Sequence, residues 1–263
     1  MDRLHERLVL ARSRVLITND DGIEAEGLKL LVRIVRKLAV EVWIVAPETE
    51  QSAASQSITM RRPLQVHQRG TRRYSVDGTP TDCILLAAHK IMKDRPPDIV
   101  LSGINRGGNM GEDTVYSGTV AAAREAAMLG FRSAALSIVY RNGGTVRWAT
   151  AEAWVPKVLA GLAGLEWPGG VVLNVNVPDV EADAVAGVRV AWPGRRKIGG
   201  DIREGTDPRG RPFFWIGHDR EEDRQQDATD LHAVDGGYVA ITPLALKLAD
   251  DHAMSALSAV SSW

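Results

Sequence analysis

Residues 98–130 read DIVLSGINRGGNMGEDTVYSGTVAAAREAAMLG, and the order of their parts decides the fold. A short apolar run is followed by a polar loop broken by Gly103, Gly107, Gly108 and Gly111 and holding Asn105 and Asn109; YSGTVAAA then opens a helical pattern. Strand, glycine-rich loop and helix in that order form the repeating unit of a parallel sheet. The unit recurs along the chain. Strand-like runs lie at 14–18, 41–46, 98–102, 134–139 and 171–177, separated by helical patterns at about 24–38, 80–93, 118–129 and 148–164. The strands are apolar on both faces, as strands covered on two sides must be. The expected fold is therefore α/β, with a mostly parallel sheet, right-handed crossovers and ligands beyond the carboxyl ends of the strands.

After about residue 185 the pattern changes to VRVAW, PGRRKIGGD and FFWIGHD, which predicts a β-rich extension over 185–263 following a main domain over 1–184. The charged run at 219–227 is expected to be a mobile loop, and TDLHAVDGGYVAITPL at 229–244 reads as a short helix, a Gly-Gly turn and a strand ending at Pro243. Residues 1–12 read as a short extra helix or a start-codon artefact.

Composition narrows the function classes. With 32 basic and 33 acidic side chains the formal charge is −1, so no global field recruits nucleic acid or a membrane surface. Neither stable nucleic-acid binding nor membrane attachment is expected. Cys83 is the single cysteine and sits in the apolar run CILLAA, which predicts a buried thiol rather than a nucleophile and is compatible with a reducing compartment. The amino terminus lacks the apolar centre of a signal peptide, and no run of about 18 apolar residues occurs, so the chain is expected in the cytoplasm.

The chemistry is concentrated in loops that follow strands. In TNDDGI at 18–23, Asp20 and Asp21 can share a target only if the chain turns, which Gly22 permits. Adjacent carboxylates raise one another's pKa unless a cation or a set of donors neutralises them. One reading is a hard divalent metal; the other is one Asp capping the next helix with its neighbour solvated. The stretch APETEQSAASQSIT at 46–59 is crowded with hydroxyl and amide side chains, and GTPTDC at 78–83 reads as a capped helix start. The first amides of the helix at 118, with the hydroxyls of Ser117 and Thr119, offer an anion site. Neither G-x-G-x-x-G nor G-x-x-x-x-G-K-[ST] is present, which weakens dinucleotide and P-loop readings. Together these loops describe a metal held by Asp20, Asp21 and Asn105, facing a phosphate held at 117–119.

These pieces resemble the SurE survival-protein nucleotidases. The match is carried by TNDDGI, APETEQSAASQSIT, GTPTDC, SGINRGGNMGEDTVYSGTVAAA at 102–123, VLNVNVP at 172–178, DPRGRPFFWIG at 207–217 and TDLHAVDGGYVAITPL. The resemblance implies a Rossmann-like, three-layer αβα fold and a metal-dependent 5′- and 3′-nucleotidase, with polyphosphate as a further substrate. It implies one divalent ion per subunit, Mg2+ or Mn2+, on Asp20, Asp21, Ser52 and Asn105, with Asn19 supporting the metal loop. It places Asn109, Ser117, Gly118 and Thr119 around the phosphate, with Asp20, Asp21 and Asn109 as catalytic residues. It also implies a homodimer or homotetramer assembled through the carboxyl-terminal region and an exchanged hairpin.

Two positions depart from the family pattern: Glu26 stands where many members have proline, and Gln51 where arginine is frequent. His67, His89, His218, His232 and His252 lie outside the strand-end loops and are read as solvated or core residues, so no imidazole acid is expected. The alternative to a hydrolase is a non-catalytic nucleotide or phosphate sensor built on the same glycine loop. An aspartyl-phosphate phosphatase is disfavoured because the aspartates are adjacent rather than spaced D-x-D.

Overall fold

The computed structural model describes residues 6–140, 144–198, 201–217, 220–223 and 226–260. Its centre is a nine-stranded sheet. The strands are β1 (Arg14–Thr18), β2 (Glu41–Pro47), β3 (Val66–Gly70), β4 (Arg73–Val76), β5 (Ile99–Arg106), β6 (Arg132–Ile138), β7 (Val171–Val177), β8 (Gly187–Val190) and β13 (Tyr238–Ala245). Spatially they run β3-β4-β2-β1-β5-β6-β7-β13-β8. The six strands from β4 to β7 are parallel, whereas β3 and β13 pair antiparallel with β4 and β7.

Alternation of side chains explains why the strands read as apolar throughout. Val15 and Ile17 of β1, and Ile99 and Leu101 of β5, enter a core completed by α1 (Glu26–Val35) and α5 (Trp148–Ala163). Leu16 and Val100 point to the opposite core, with α2 (Pro80–Leu86) and α4 (Gly118–Met128). Helices thus cover both faces, giving the three layers. The predicted helix over 80–93 is α helical only to Leu86 and finishes as a wider turn over Ala87–Ile91. Cys83 is fully buried there, and burial pushes its thiol well up.

β1 lies between β2 and β5, so the chain winds outward in opposite directions from this pair. A crevice opens at such a switch point beyond the carboxyl ends of the two strands. Asp20 and Asp21 follow β1, and Asn105 is the second-last residue of β5.

The carboxyl-terminal part differs from expectation in three places. The strand predicted to end at Pro243 continues to Ala245, pairing with β7 through Pro243↔Leu173 and Leu244↔Val172. Part of the charged run expected as a mobile loop is β12 (Arg220–Asp223), antiparallel to β9 (Arg195–Ile198). Arg195 faces Asp223, Arg196 faces Glu222 and Lys197 faces Glu221, so each strand carries the charges that the other lacks. Strands β10 (Ile202–Thr206) and β11 (Pro212–Ile216) form a separate hairpin. The remaining helices are α3 (Asp113–Tyr116), α6 (Asp230–Asp235) and α7 (Asp251–Ser258), and α7 buries no residue. Near the amino terminus a single 3-10 turn covers Leu10–Arg12; residues 1–5 lie outside the described residues, as does His218. Among the described residues no helix is long and apolar enough to cross a membrane.

Candidate active site

The turn after β1 is fixed from several directions. Asn19 is fully buried and donates Nδ2–H to the Gly22 carbonyl at 2.9 Å. Gly22 has φ +99°, and a Cβ there would meet the Thr49 carbonyl carbon at 3.3 Å. The loop after β2 is stitched to this turn by Ile23 N–H to the Pro47 carbonyl at 2.8 Å and Gln51 N–H to the Asp20 carbonyl at 2.7 Å.

Neither aspartate caps the helix that follows. The N-cap of α1 is Ala25, with no side-chain cap, so the bland reading of the pair fails. Asp20 reaches instead across the crevice to α4, where it accepts hydrogen bonds from the Thr119 hydroxyl and the Thr119 backbone. Gly118 makes this approach possible, since a Cβ on it would lie 2.8 Å from Asp20 Cβ. The helix amino terminus read from sequence as an anion site thus receives an anion of the protein's own. Thr119 is fully buried and its hydroxyl is directed at Asp20, and neither Gly118 nor Thr119 lines the cavity.

Asp21 accepts the Arg106 backbone N–H at 3.3 Å. Burial, and then the Asp20 carboxylate beside it, push the Asp21 carboxyl up to about 7. Burial also raises Asp20, against the opposing effect of the Thr119 hydrogen bonds. Glu50 adds to the repulsion on both.

A cavity of about 1040 Å3 opens over this pair. Asp20, Asp21, Ser52, Asn105, Asn109 and Ser117 all line it, so six of the eight residues named from sequence as metal ligands, phosphate contacts or catalytic groups converge. Ser52 is exposed and donates to Glu50 Oε1 at 2.6 Å, in a loop where Ala53 and Ser55 adopt φ +59° and +51°. Left-handed backbone at two residues without glycine costs about 1–3 kcal/mol each and persists only where the surroundings impose it. Asn105 donates Nδ2–H to the Gly107 carbonyl at 2.7 Å, which leaves Oδ1 as the end open to a cation. Ser117 caps α4, its Oγ accepting the Val120 N–H at 3.1 Å.

Asn109 sits in a buried amide network that sequence reasoning did not identify. Its backbone N–H donates to Asn176 Oδ1 at 2.9 Å, and its carbonyl accepts from Asn174 Nδ2 at 2.7 Å and Asn176 Nδ2 at 3.0 Å. Its own Nδ2 donates to Ser137 Oγ at 2.9 Å. Asn174 and Asn176 alternate on β7 in LNVNV, and that polar alternation in a strand otherwise buried on both faces is the signal available in the sequence. Glu50, Arg106, Tyr140 and Trp148 also line the cavity and had no assigned role.

The donor set suits a hard divalent cation. Two adjacent carboxylates, each made reluctant to ionise by burial, share a cavity with an amide oxygen and a hydroxyl, all ligands of the kind magnesium and manganese take. Among the described residues no three His, Cys, Asp or Glu side chains cluster as a metal site, so neutral oxygens would complete the shell.

The family model described as Survival protein SurE matches residues 15–200. The protein named 5′-nucleotidase SurE from Paramagnetospirillum magneticum is 51% identical over 244 residues, covering 93% of this chain and 94% of its own length. Its namesake from Rhodospirillum rubrum is 50% identical over 252 residues, covering 95% and 96%. The crystal structure of the SurE protein from Aquifex aeolicus matches with a TM-score of 0.82 at 34% identity, covering 95% of this chain and 100% of that one.

Proposed function

The chain belongs to the SurE family, and from that premise we propose that it is a nucleotidase that hydrolyses nucleoside 5′-monophosphates to nucleoside and phosphate. We extend the proposal to nucleoside 3′-monophosphates and polyphosphate as further substrates, and to dependence on one Mg2+ or Mn2+ per subunit. The observation that carries the reading is the pair formed by buried Asp20 and half-buried Asp21 at the switch point, in a cavity large enough for a nucleotide, in a chain half identical to proteins named 5′-nucleotidase SurE. Small-molecule sites span roughly 300–1,000 Å3.

Asp20, Asp21, Ser52 and Asn105 would hold the ion. When bound, it supplies Lewis acidity and charge neutralisation at the phosphoryl group. The protein's own contributions follow from its hydrogen bonds. Thr119 fixes the Asp20 carboxylate, and the Arg106 N–H orients Asp21. Ser117 Oγ accepts from Val120, which leaves its own proton to donate to a phosphoryl oxygen. Asn109 uses one Nδ2 proton on Ser137, so the second is available to the same group, and the Asn174–Asn176 pair holds its backbone still. Such preorganised donors aim at charge that grows in the transition state. Among the described residues no histidine lines the cavity, so the leaving oxygen would take its proton from water or a carboxyl group.

Assembly as a homodimer or homotetramer belongs to the same proposal. It is supported by the apolar side chains left exposed on the β10–β11 hairpin, among them Phe214 and Trp215. The reading is tested by phosphate release from a panel of nucleoside 5′- and 3′-monophosphates and polyphosphate, with Mg2+ or Mn2+ added to metal-stripped protein. Release from 5′-monophosphates is expected. Tight nucleotide binding without release under either metal would favour a sensor.

A further inference from the structure

The cavity over Asp20 and Asp21 has a second wall that the phosphate chemistry leaves unused. Tyr140 and Trp148 line it, and the Arg106 guanidinium lies 5.2 Å from the centre of the Tyr140 ring. Arg106 therefore joins the two walls, with its backbone N–H on Asp21 and its side chain on the aromatic group. Glu26, at the first position of α1, lines the same cavity. The next residue, Gly27, is pressed against this wall: a Cβ on it would lie 1.9 Å from the Ile104 carbonyl oxygen and 3.0 Å from the Trp148 ring. That close packing fixes the helix start, and Glu26 with it, beside Trp148. Among the described residues Glu26 has no ion-pair partner, whereas nearby Glu24 pairs with Lys29 at 3.0 Å and Arg73 at 2.7 Å.

We propose that Tyr140, Trp148 and Arg106 form the base subsite of the cavity and that Glu26 makes it selective for guanine. The inference rests on the reading that a nucleoside phosphate occupies the cavity. Aromatic rings and a guanidinium plane stack on any base and choose none. The choice lies at the base edge. An ionised carboxylate only accepts, through two oxygens side by side. Guanine alone presents two adjacent donors, N1–H and N2–H, to match them. Adenine and cytosine place one amino donor next to a ring nitrogen acceptor, and uracil sets a single N–H between two carbonyl oxygens, so each turns a lone pair toward the carboxylate. A well-made bidentate contact separates right from wrong bases by about fivefold or more.

The test separates base recognition from catalysis. Saturation-transfer NMR would measure guanosine and adenosine binding to the metal-stripped protein, without a phosphate or a metal in play. The kcat/KM ratio for GMP over AMP would be measured on the metal-loaded enzyme. We expect guanosine to bind at least about fivefold tighter than adenosine and the kcat/KM ratio to favour GMP by a similar factor. Glu26→Gln should erase both preferences, because an amide offers one donor and one acceptor and so matches the adenine N6–H and N1 pair as well as the guanine N1–H and O6 pair. Glu26→Ala should abolish the guanine preference without creating one for adenine. Equal affinities for the two nucleosides, or a guanine preference unmoved by either variant, would overturn the inference even if nucleotides were hydrolysed. A Glu26-dependent guanosine preference with no release from any nucleotide would keep the base subsite and remove the hydrolase reading.

Discussion

Asp21 bears the charge crowding of the site most directly. Its carboxyl is pushed from 3.8 to about 7, first by burial and then by Asp20, so the folded protein without metal holds a proton that the unfolded chain has already lost. Because the folded state binds more protons between those values, this group's contribution to stability falls as pH rises from 3.8 through about 7. The magnitude is on the order of a few kcal/mol. Other carboxylates titrate in the opposite sense, Glu24 and Asp207 among them, so the informative quantity is a difference between proteins. Asp21→Asn should gain stability relative to the wild type between pH 5 and pH 8 when both are chelator-treated, seen as a rise of several degrees in relative Tm. Thermal stabilisation by Mn2+ should grow over the same interval in the wild type, because ligands must lose protons to bind a cation. A flat difference curve would show that Asp21 is not held in this environment.

At the scale of elements, α4 makes a contact with Asp20 that its sequence does not announce. Its amino terminus reads in sequence as a phosphate cradle, yet Gly118 and Thr119 bring it against Asp20. Thr119→Val removes the hydroxyl that orients the carboxylate, and partners of this kind contribute about 10–100-fold to metal affinity or activity. A loss of that size is expected, with Mn2+ affinity falling in parallel and Thr119→Ser restoring most of both. Loss of activity with unchanged Mn2+ affinity would instead place Thr119 on the phosphate. The strand-end loops were legible in the sequence because their chemistry is local: glycines mark the turns and paired aspartates mark the charge. Elements defined by distant partners were not. β3 is exposed along its whole length and presents no apolar run. β12 carries REED, which has no reason to be a strand until the basic β9 lies beside it. Asn174 and Asn176 gain their meaning only from Asn109, some 65 residues earlier in the chain.

For the whole molecule, the unresolved balance is on its surface. Phe214, Trp215 and Ile216 are about two-thirds exposed on the β10–β11 hairpin, and α7 buries nothing. A lone two-stranded hairpin is marginally stable in water, so an apolar one calls for a partner. The double variant Phe214→Asp with Trp215→Asp should reduce the mass seen by light scattering from that of a dimer or tetramer. A wild type that is monomeric at tens of micromolar would refute assembly through the hairpin. Substitution is the right probe because β13, which follows the hairpin in sequence, is an interior strand of the main sheet between β7 and β8, and truncation there would damage the fold itself.

The proposed hydrolysis requires that the aspartate pair following β1 hold a divalent ion. The most direct measurement is phosphate release from a nucleoside 5′-monophosphate by metal-stripped protein before and after Mn2+ is restored, with Asp20→Asn measured alongside. Release that appears only with Mn2+ and falls by about a thousandfold or more in the variant is the predicted result, in keeping with losses of several kcal/mol when a group central to transition-state stabilisation is removed. Release that persists in the stripped protein, or that survives undiminished in Asp20→Asn, would contradict it.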